Sequence, residues 1–100
     1  MANVHRVLGD NEAWVEFKAS GYPFSLRKQL RDAGDDESVI EIICKYIDSC
    51  ELPTLDGKTL TSFSTKADLQ NVDEKLVADI IWKFYDFRAE RLREPLGKNI

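Results

Sequence analysis

The residues that could do chemistry are few and widely spaced. His5 is the only histidine in 100 residues, and no cysteine or carboxylate stands at zinc-ligand spacing from it. The run Asp35-Asp36-Glu37 lacks the alternating ligands and the distal glutamate of a calcium loop, so a helix cap explains it better. The five glycines are isolated from one another, and no nucleophile–base signature is present. The sequence therefore predicts a non-enzymatic protein with no catalytic, cofactor-binding or metal-binding residues.

The two thiols, Cys44 and Cys50, lie six residues apart on one predicted helix. They point to different sides and are too far apart for an internal disulfide, so we interpret them as buried or half-buried small apolar residues. Met1–Leu8 has neither the basic start nor the apolar run of a signal peptide, and no stretch approaches the ~20 apolar residues of a membrane span. We therefore expect a cytoplasmic protein that does not enter a membrane.

Length and charge restrict the class of protein. One hundred residues make one domain, residues 1–100, and hydrophobic residues at 43% can build a core. A domain this small often gains stability by association, so a homo-oligomer is expected. The net charge of −4 argues weakly against a binder of duplex nucleic acid. Arg27, Lys28 and Arg31 could touch phosphate, which leaves a small DNA-binding regulator as an alternative.

Two short runs near the N-terminus are typical of strands. Val4–Leu8 and Ala13–Lys18 are rich in β-branched and aromatic residues, and Gly9–Glu12 separates them with turn-forming residues. In the second run Val15 and Phe17 share one apolar face, as expected for a strand that lies on helices. The sequence predicts a β-hairpin that must pack on other elements, because a lone hairpin is only marginally stable.

The next predicted element is a short helix, which Ser25 caps and which runs to about Ala33, before Gly34. A second helix is expected from Asp36 to about Cys50, with Asp35 and Asp36 as caps and Pro53 as a limit. Its apolar positions recur at helical spacing. They are Val39, Ile40, Ile43, Tyr46, Ile47 and Cys50.

The segment from Leu52 to Phe63 is predicted to be a loop. In it, Asp56-Gly57-Lys58 forms a tight turn between short extended pieces, because glycine supplies a positive φ. Thr65-Lys66-Ala67-Asp68 has the spacing of a capping box, which predicts a single helical turn over Lys66–Gln70. Asn71-Val72-Asp73-Glu74 repeats the capping pattern and begins the longest helix.

This last helix is expected to run to about Arg93, with Pro95 and Gly97 ending it and residues 94–100 frayed. The predicted fold class is mainly α (α+β). An N-terminal β-hairpin packs on two shorter helices and one long C-terminal helix.

The last helix carries two apolar stripes rather than one. The first stripe is Val77, Ile80, Phe84 and Phe87, and the second stripe is Ala78, Trp82, Tyr85, Ala89 and Leu92. A helix that packs on a single core needs one stripe about 100° wide, and this helix has nearly twice that width. Either the other elements cover both stripes within one chain, or one stripe is an interface to another protein.

We expect the second stripe to be the interface, because tryptophan and tyrosine tolerate a partly wet setting better than phenylalanine. Aromatic residues and arginine are also enriched at interface centres. The two shorter helices are too short to cover the C-terminal half of the long one. The predicted interface residues are Trp82, Tyr85, Ala89, Leu92, Arg88 and Arg91.

Charge is distributed unevenly along the chain. The stretch from Asp32 to Asp56 contains eight acidic residues and one basic residue, Lys45. The stretch Arg88–Lys98 contains four basic residues and two acidic ones, Glu90 and Glu94. Opposite patches on one small molecule can dock head-to-tail between copies and form rings or filaments. The other interpretation is that both patches are solvated surface.

The order of these elements resembles the small tail assembly chaperones of long-tailed bacteriophages. An "AWVEF" strand precedes "YPFSLRKQLRDA" and the acidic "DDESVIEIICKYIDSCEL". The "LDGKTL" turn, "TKADLQNV" and the long helix "DEKLVADIIWKFYDF" follow. The resemblance is one of pattern and covers roughly Trp14 to Phe87.

This resemblance implies a chaperone that coats the helical tape-measure protein before the tail tube polymerises around it. The implied partners are that tape-measure-like helical client and further copies of the chain, with no cofactor, no nucleic acid and no membrane. A phage-encoded chaperone of this kind would be located in the host cytoplasm. Two other functions stay open. A DNA-binding regulator would bind DNA in a salt-dependent way, and a structural tail or connector subunit would be found in finished particles.

Overall fold

An antiparallel sheet of four strands forms one layer of this protein, and helices cover one face of it. The computed structural model describes residues 2–9 and 13–93. The strands are β1 (Val4–Leu8), β2 (Ala13–Phe17), β3 (Ile47–Pro53) and β4 (Thr59–Leu60), in the order β1-β2-β3-β4. The helices are α1 (Leu26–Asp32), α2 (Asp36–Ile43) and α3 (Glu74–Arg93), with 3-10 turns at Cys44–Tyr46 and Lys66–Leu69. The described residues thus form a small α+β domain, with more sheet than the mainly α prediction contains.

The predicted hairpin is present. β1 pairs with β2 from Val4↔Phe17 to Leu8↔Ala13. Ala13, Val15 and Phe17 are buried, whereas the alternate positions on β2 are half-buried, as expected for one apolar face. The predicted turn residues Asp10–Glu12 lie outside the described residues, as do residues 94–100 with Pro95 and Gly97.

The stretch Ile47–Pro53 is a strand, so the prediction of a helix to Cys50 is wrong. α2 ends at Ile43 and the 3-10 turn leads into β3. All six apolar positions of the predicted helix are buried, but the last of them reach the core from a strand. β3 pairs with β2 through Val15↔Cys50 and, after a register shift, Phe17↔Ile47. The spacing fits a helix locally, and pairing with a distant strand overrides that local preference.

The caps of α2 and of the Lys66–Leu69 turn are at the expected places, whereas α3 begins at Glu74, later than the capping pattern at Asn71 predicts. The Asp35 carboxylate accepts a hydrogen bond from the Ser38 N–H at 2.8 Å. Asp68 closes the predicted capping box by accepting from the Thr65 N–H, and also accepts from Ser64. Ser25 precedes α1 but makes no capping bond with its side chain, because its own backbone is already helical (φ −62°, ψ −16°).

The tight turn at Gly57 connects β3 and β4. Gly57 has φ +86°, which only glycine adopts without strain. The Thr54 N–H donates to the Lys58 carbonyl at 2.8 Å, and the Thr54 hydroxyl contacts the Asp56 carboxylate. These contacts fix the short hairpin that adds β4 to the sheet.

The two capping carboxylates make stability depend on pH. Hydrogen bonds from the Ser38 N–H hold the pKa of Asp35 below its ordinary 3.8, and bonds from Ser64 and Thr65 do the same for Asp68. Both groups bind protons less readily in the folded chain than in the unfolded chain. Their contribution is therefore complete above the ordinary value and is lost as the pH falls through the folded-state pKa.

We expect the thermal midpoint to drop as the pH falls below about 4. The drop should be smaller in the variant Asp35→Asn/Asp68→Asn, because asparagine accepts a capping bond without titrating. Circular dichroism melts across this pH range measure both. An equal drop in the variant would show that other groups carry the acid sensitivity.

The core lies between the sheet and α3. The Phe17 ring packs edge-on against Phe84, with centroids 5.5 Å apart, and stacks on Phe87 at 5.3 Å. Tyr46 stacks on Phe84 at 6.3 Å and on Tyr22 at 4.8 Å. This aromatic cluster fixes which side of α3 faces inward.

Candidate protein-binding surface

The first stripe of α3 is core. Ile80 and Phe84 are 0% exposed, Phe87 is 3% exposed, and Val77 is half-buried. The sheet covers this side of the helix, with Phe17 between the two phenylalanine rings. One of the two stripes is therefore used within the chain.

The second stripe faces outward along its whole length. Trp82 is 68% exposed, Leu92 is 55% exposed and Tyr85 is 36% exposed, and Ala78 and Ala89 are exposed as well. Among residues 2–9 and 13–93, six large hydrophobic side chains are exposed, and three of them belong to this stripe. Such a continuous exposed apolar strip is typical of an interaction surface. Its role as an interface stays a prediction.

The predicted interface residue Arg91 lies on the inner side of α3. Its guanidinium donates to the Ala19 carbonyl at 2.7 Å and lies 4.3 Å from the centre of the Tyr22 ring. Burial raises the pKa of Tyr22 to about 12, although the Arg91 charge opposes this shift. Arg88 is half-buried at the margin of the second stripe. Arg88 thus lies beside the second stripe, whereas Arg91 attaches the helix to residues 19–22.

The C-terminal half of α3 is better covered than the helix lengths suggest. Besides the contacts of Arg91, Arg6 of β1 pairs with Glu90 at 2.6 Å. Nearer the start of the helix, the Gly9 N–H donates to Asp79 at 2.9 Å. The sheet, rather than the shorter helices, covers the inner side of this part of α3, and the second stripe stays uncovered there.

Concave surfaces flank the second stripe at both ends. Ala78 borders a groove of about 640 Å³ between α2, the Lys66–Leu69 turn and the start of α3. Leu92 and Phe24 border a pocket of about 270 Å³ near the end of α3. The Phe24 side chain is 85% exposed. The sequence offers no signal that Phe24 joins this surface.

The groups capable of chemistry are scattered or buried. The His5 imidazole lies 3.8 Å from the Glu16 carboxylate and 5.0 Å from the Trp14 ring on the outer face of the sheet. Burial raises the pKa of the Cys50 thiol to about 11 and also raises that of Cys44, so neither thiol is activated. Both cysteines are buried and free, as predicted.

Within residues 2–9 and 13–93, no group of three histidine, cysteine, aspartate or glutamate side chains is placed to hold a metal ion. In the same part of the chain, no helix combines the length and the apolar character needed to cross a membrane.

Comparison with known proteins adds no relative to this picture. No protein-family model, no curated protein and no solved structure matches the chain.

Proposed function

We propose that this protein is a non-catalytic tail assembly chaperone that binds a helical segment of the tape-measure protein along the second stripe of α3. The observation that carries the proposal is the exposure of Trp82, Tyr85 and Leu92 in a row on a helix whose other apolar stripe is fully used. The resemblance in element order supplies the identity of the client.

The form of the surface suits a helical client. Ala78 and Leu92 lie fourteen positions apart, so the stripe is about 21 Å long. An amphipathic helix of about fifteen residues presents an apolar face of the same length. Recognition of this kind places anchor side chains at helical spacing into an apolar surface with hollows beside it. The groove beside Ala78 and the pocket beside Leu92 provide such hollows.

Binding here would protect both partners from aggregation. A tape-measure helix that awaits its tube exposes a long apolar face, and the second stripe would cover part of it. Several copies bound along one client would then keep it dispersed. None of these steps requires a catalytic group or a cofactor.

The proposal is tested with the product of a neighbouring gene. If a very long, largely helical protein is encoded next to this chain and near a tail-tube gene, we expect co-expression to keep it in the soluble fraction. It should also co-purify with this chain. A neighbourhood without such a gene, or a client that precipitates equally with and without this chain, would contradict the proposal.

Two assays address the other functions. Retention of duplex DNA in a mobility shift, weakening as salt is raised, would favour a DNA-binding regulator. Stoichiometric recovery of the chain in finished particles would favour a structural tail or connector subunit. A chaperone is expected to show neither.

A further inference from the structure

The two ends of the second stripe differ in charge. Beside Ala78, the groove is lined by the carboxylates of Asp36, Glu37 and Glu74 and by two lysines, Lys66 and Lys75. The Lys66 ammonium is already bound to Glu37 at 3.2 Å, and Asp35 and Glu41 bring two more carboxylates toward it. Carboxylates therefore outnumber cations, and we name this region the acidic end.

The opposite end is basic. Arg27, Arg88 and Arg91 line the pocket beside Leu92, and no carboxylate stands among the described residues that line it. Arg91 is held in place by the Ala19 carbonyl and the Tyr22 ring, so its charge is fixed there. The exposed Phe24 ring lies at the same place, with the Arg27 guanidinium 5.8 Å from its centre. We name this region the basic end.

The positions of the second stripe are nearly symmetric about Tyr85, and a small side chain on one side of Tyr85 corresponds to a large one on the other. Ala78 and Leu92 each lie seven positions from Tyr85, one small and one large. Trp82 lies three positions before Tyr85 and Ala89 lies four positions after it, again one large and one small side chain. Two such helices that cross antiparallel at Tyr85 would place Leu92 over Ala78 and Trp82 near Ala89. Large side chains then meet small ones, as close packing of helices requires.

We propose that a second copy of this chain occupies the second stripe, in an antiparallel two-fold dimer that sets the acidic end of each copy against the basic end of the other. The inference rests on the proposed function in one respect, the assignment of this stripe as a protein-binding surface. A parallel pairing would place arginines against arginines, which electrostatics disfavours. A two-fold contact uses the same patch on both copies and closes, so the assembly stops at two.

The dimer has a consequence for the client. Both the second copy and a client helix need the same apolar strip, so they compete for it. The free chaperone is then stored with Trp82, Tyr85 and Leu92 covered, and a client helix displaces one copy when it binds.

Charge reversal at either end tests the arrangement. The variant Arg27→Glu/Arg88→Glu reverses the basic end, and Asp36→Lys/Glu74→Lys reverses the acidic end. We expect the wild type to sediment at twice the chain mass of 11.5 kDa, and each variant alone to dimerise about tenfold more weakly or worse. An equimolar mixture of the two variants should regain dimers, because one contact is then native and the other is doubly reversed.

The salt dependence of dimerisation can be measured on the wild-type protein, without any variant. Raising the ionic strength should weaken the dimer, because the contacts between the ends are solvent-accessible at their rims. A monomer at all concentrations, a mass that grows past two copies, or a mixture that stays monomeric would overturn the proposal. So would a dimer indifferent to salt and to both variants.

The dimer and the chaperone function can fail separately. A monomeric chain that still co-purifies with the tape-measure protein would contradict the proposed dimer and support the proposed function. A salt-sensitive dimer that does not keep the client soluble would contradict the proposed function and support the proposed dimer.

Discussion

Replacing Phe84 with alanine should lower the free energy of unfolding by about 3–5 kcal/mol. The ring is 0% exposed and contacts Phe17, Tyr46 and Tyr22, with centroids 5.5, 6.3 and 6.5 Å away. Its removal leaves a cavity where the sheet, α3 and the Gly21–Pro23 segment meet. Domains of this size have only about 5–15 kcal/mol of stability, so much of the chain's margin would be lost. Urea unfolding followed by circular dichroism measures the change.

Phe24 supplies the matched control, since it is the same residue type at 85% exposure. Phe24→Ala should change the unfolding free energy by less than about 0.5 kcal/mol at low protein concentration, where self-association does not contribute. A similar decrease in the free energy of unfolding in both variants would mean that the inner side of α3 is wrongly assigned.

Features with local causes were predictable from the sequence. The caps at Asp35 and Asp68 and the turn at Gly57 depend on residues within a few positions, and each is present. The hairpin follows from alternation within two short runs. The long helix to Arg93 follows from an apolar spacing that holds over about four turns.

Features decided by distant partners were not predictable. Residues 47–50 fit a helix by spacing and became β3 because β2 offered a pairing edge. The two stripes of α3 could not be assigned from spacing alone, because Phe17 of β2 decides which one is covered. Residue type, phenylalanine against tryptophan and tyrosine, favoured the first stripe as the core stripe, and its burial agrees with that. Arg91 was grouped with the second stripe because sequence does not reveal that Tyr22 and the Ala19 carbonyl hold it.

The largest functional effect is expected from Trp82→Ala/Tyr85→Ala, at the middle of the second stripe. An aromatic residue at the centre of an interface contributes about 2 kcal/mol or more, which is a factor of about 30 in affinity for each. Both the dimer and the client complex should therefore be lost at concentrations where the wild type forms them. The fold should survive, because Trp82 is 68% exposed and Tyr85 touches the core only at its edge, with its centroid 6.2 Å from Phe84.

Val7→Ala is the control for this variant, because Val7 is 41% exposed on the outer face of the sheet, away from α3. The Val7→Ala variant should still sediment as the wild-type dimer and should still co-purify with the client. Sedimentation and co-purification, with a circular dichroism melt of each variant, separate the outcomes. A Trp82→Ala/Tyr85→Ala protein that keeps its dimer and its client would show that binding uses another surface. If this variant unfolds, both stripes of α3 belong to the core. Truncation of an aromatic side chain to alanine lowers the free energy of unfolding by several kcal/mol only when that side chain is buried in the core.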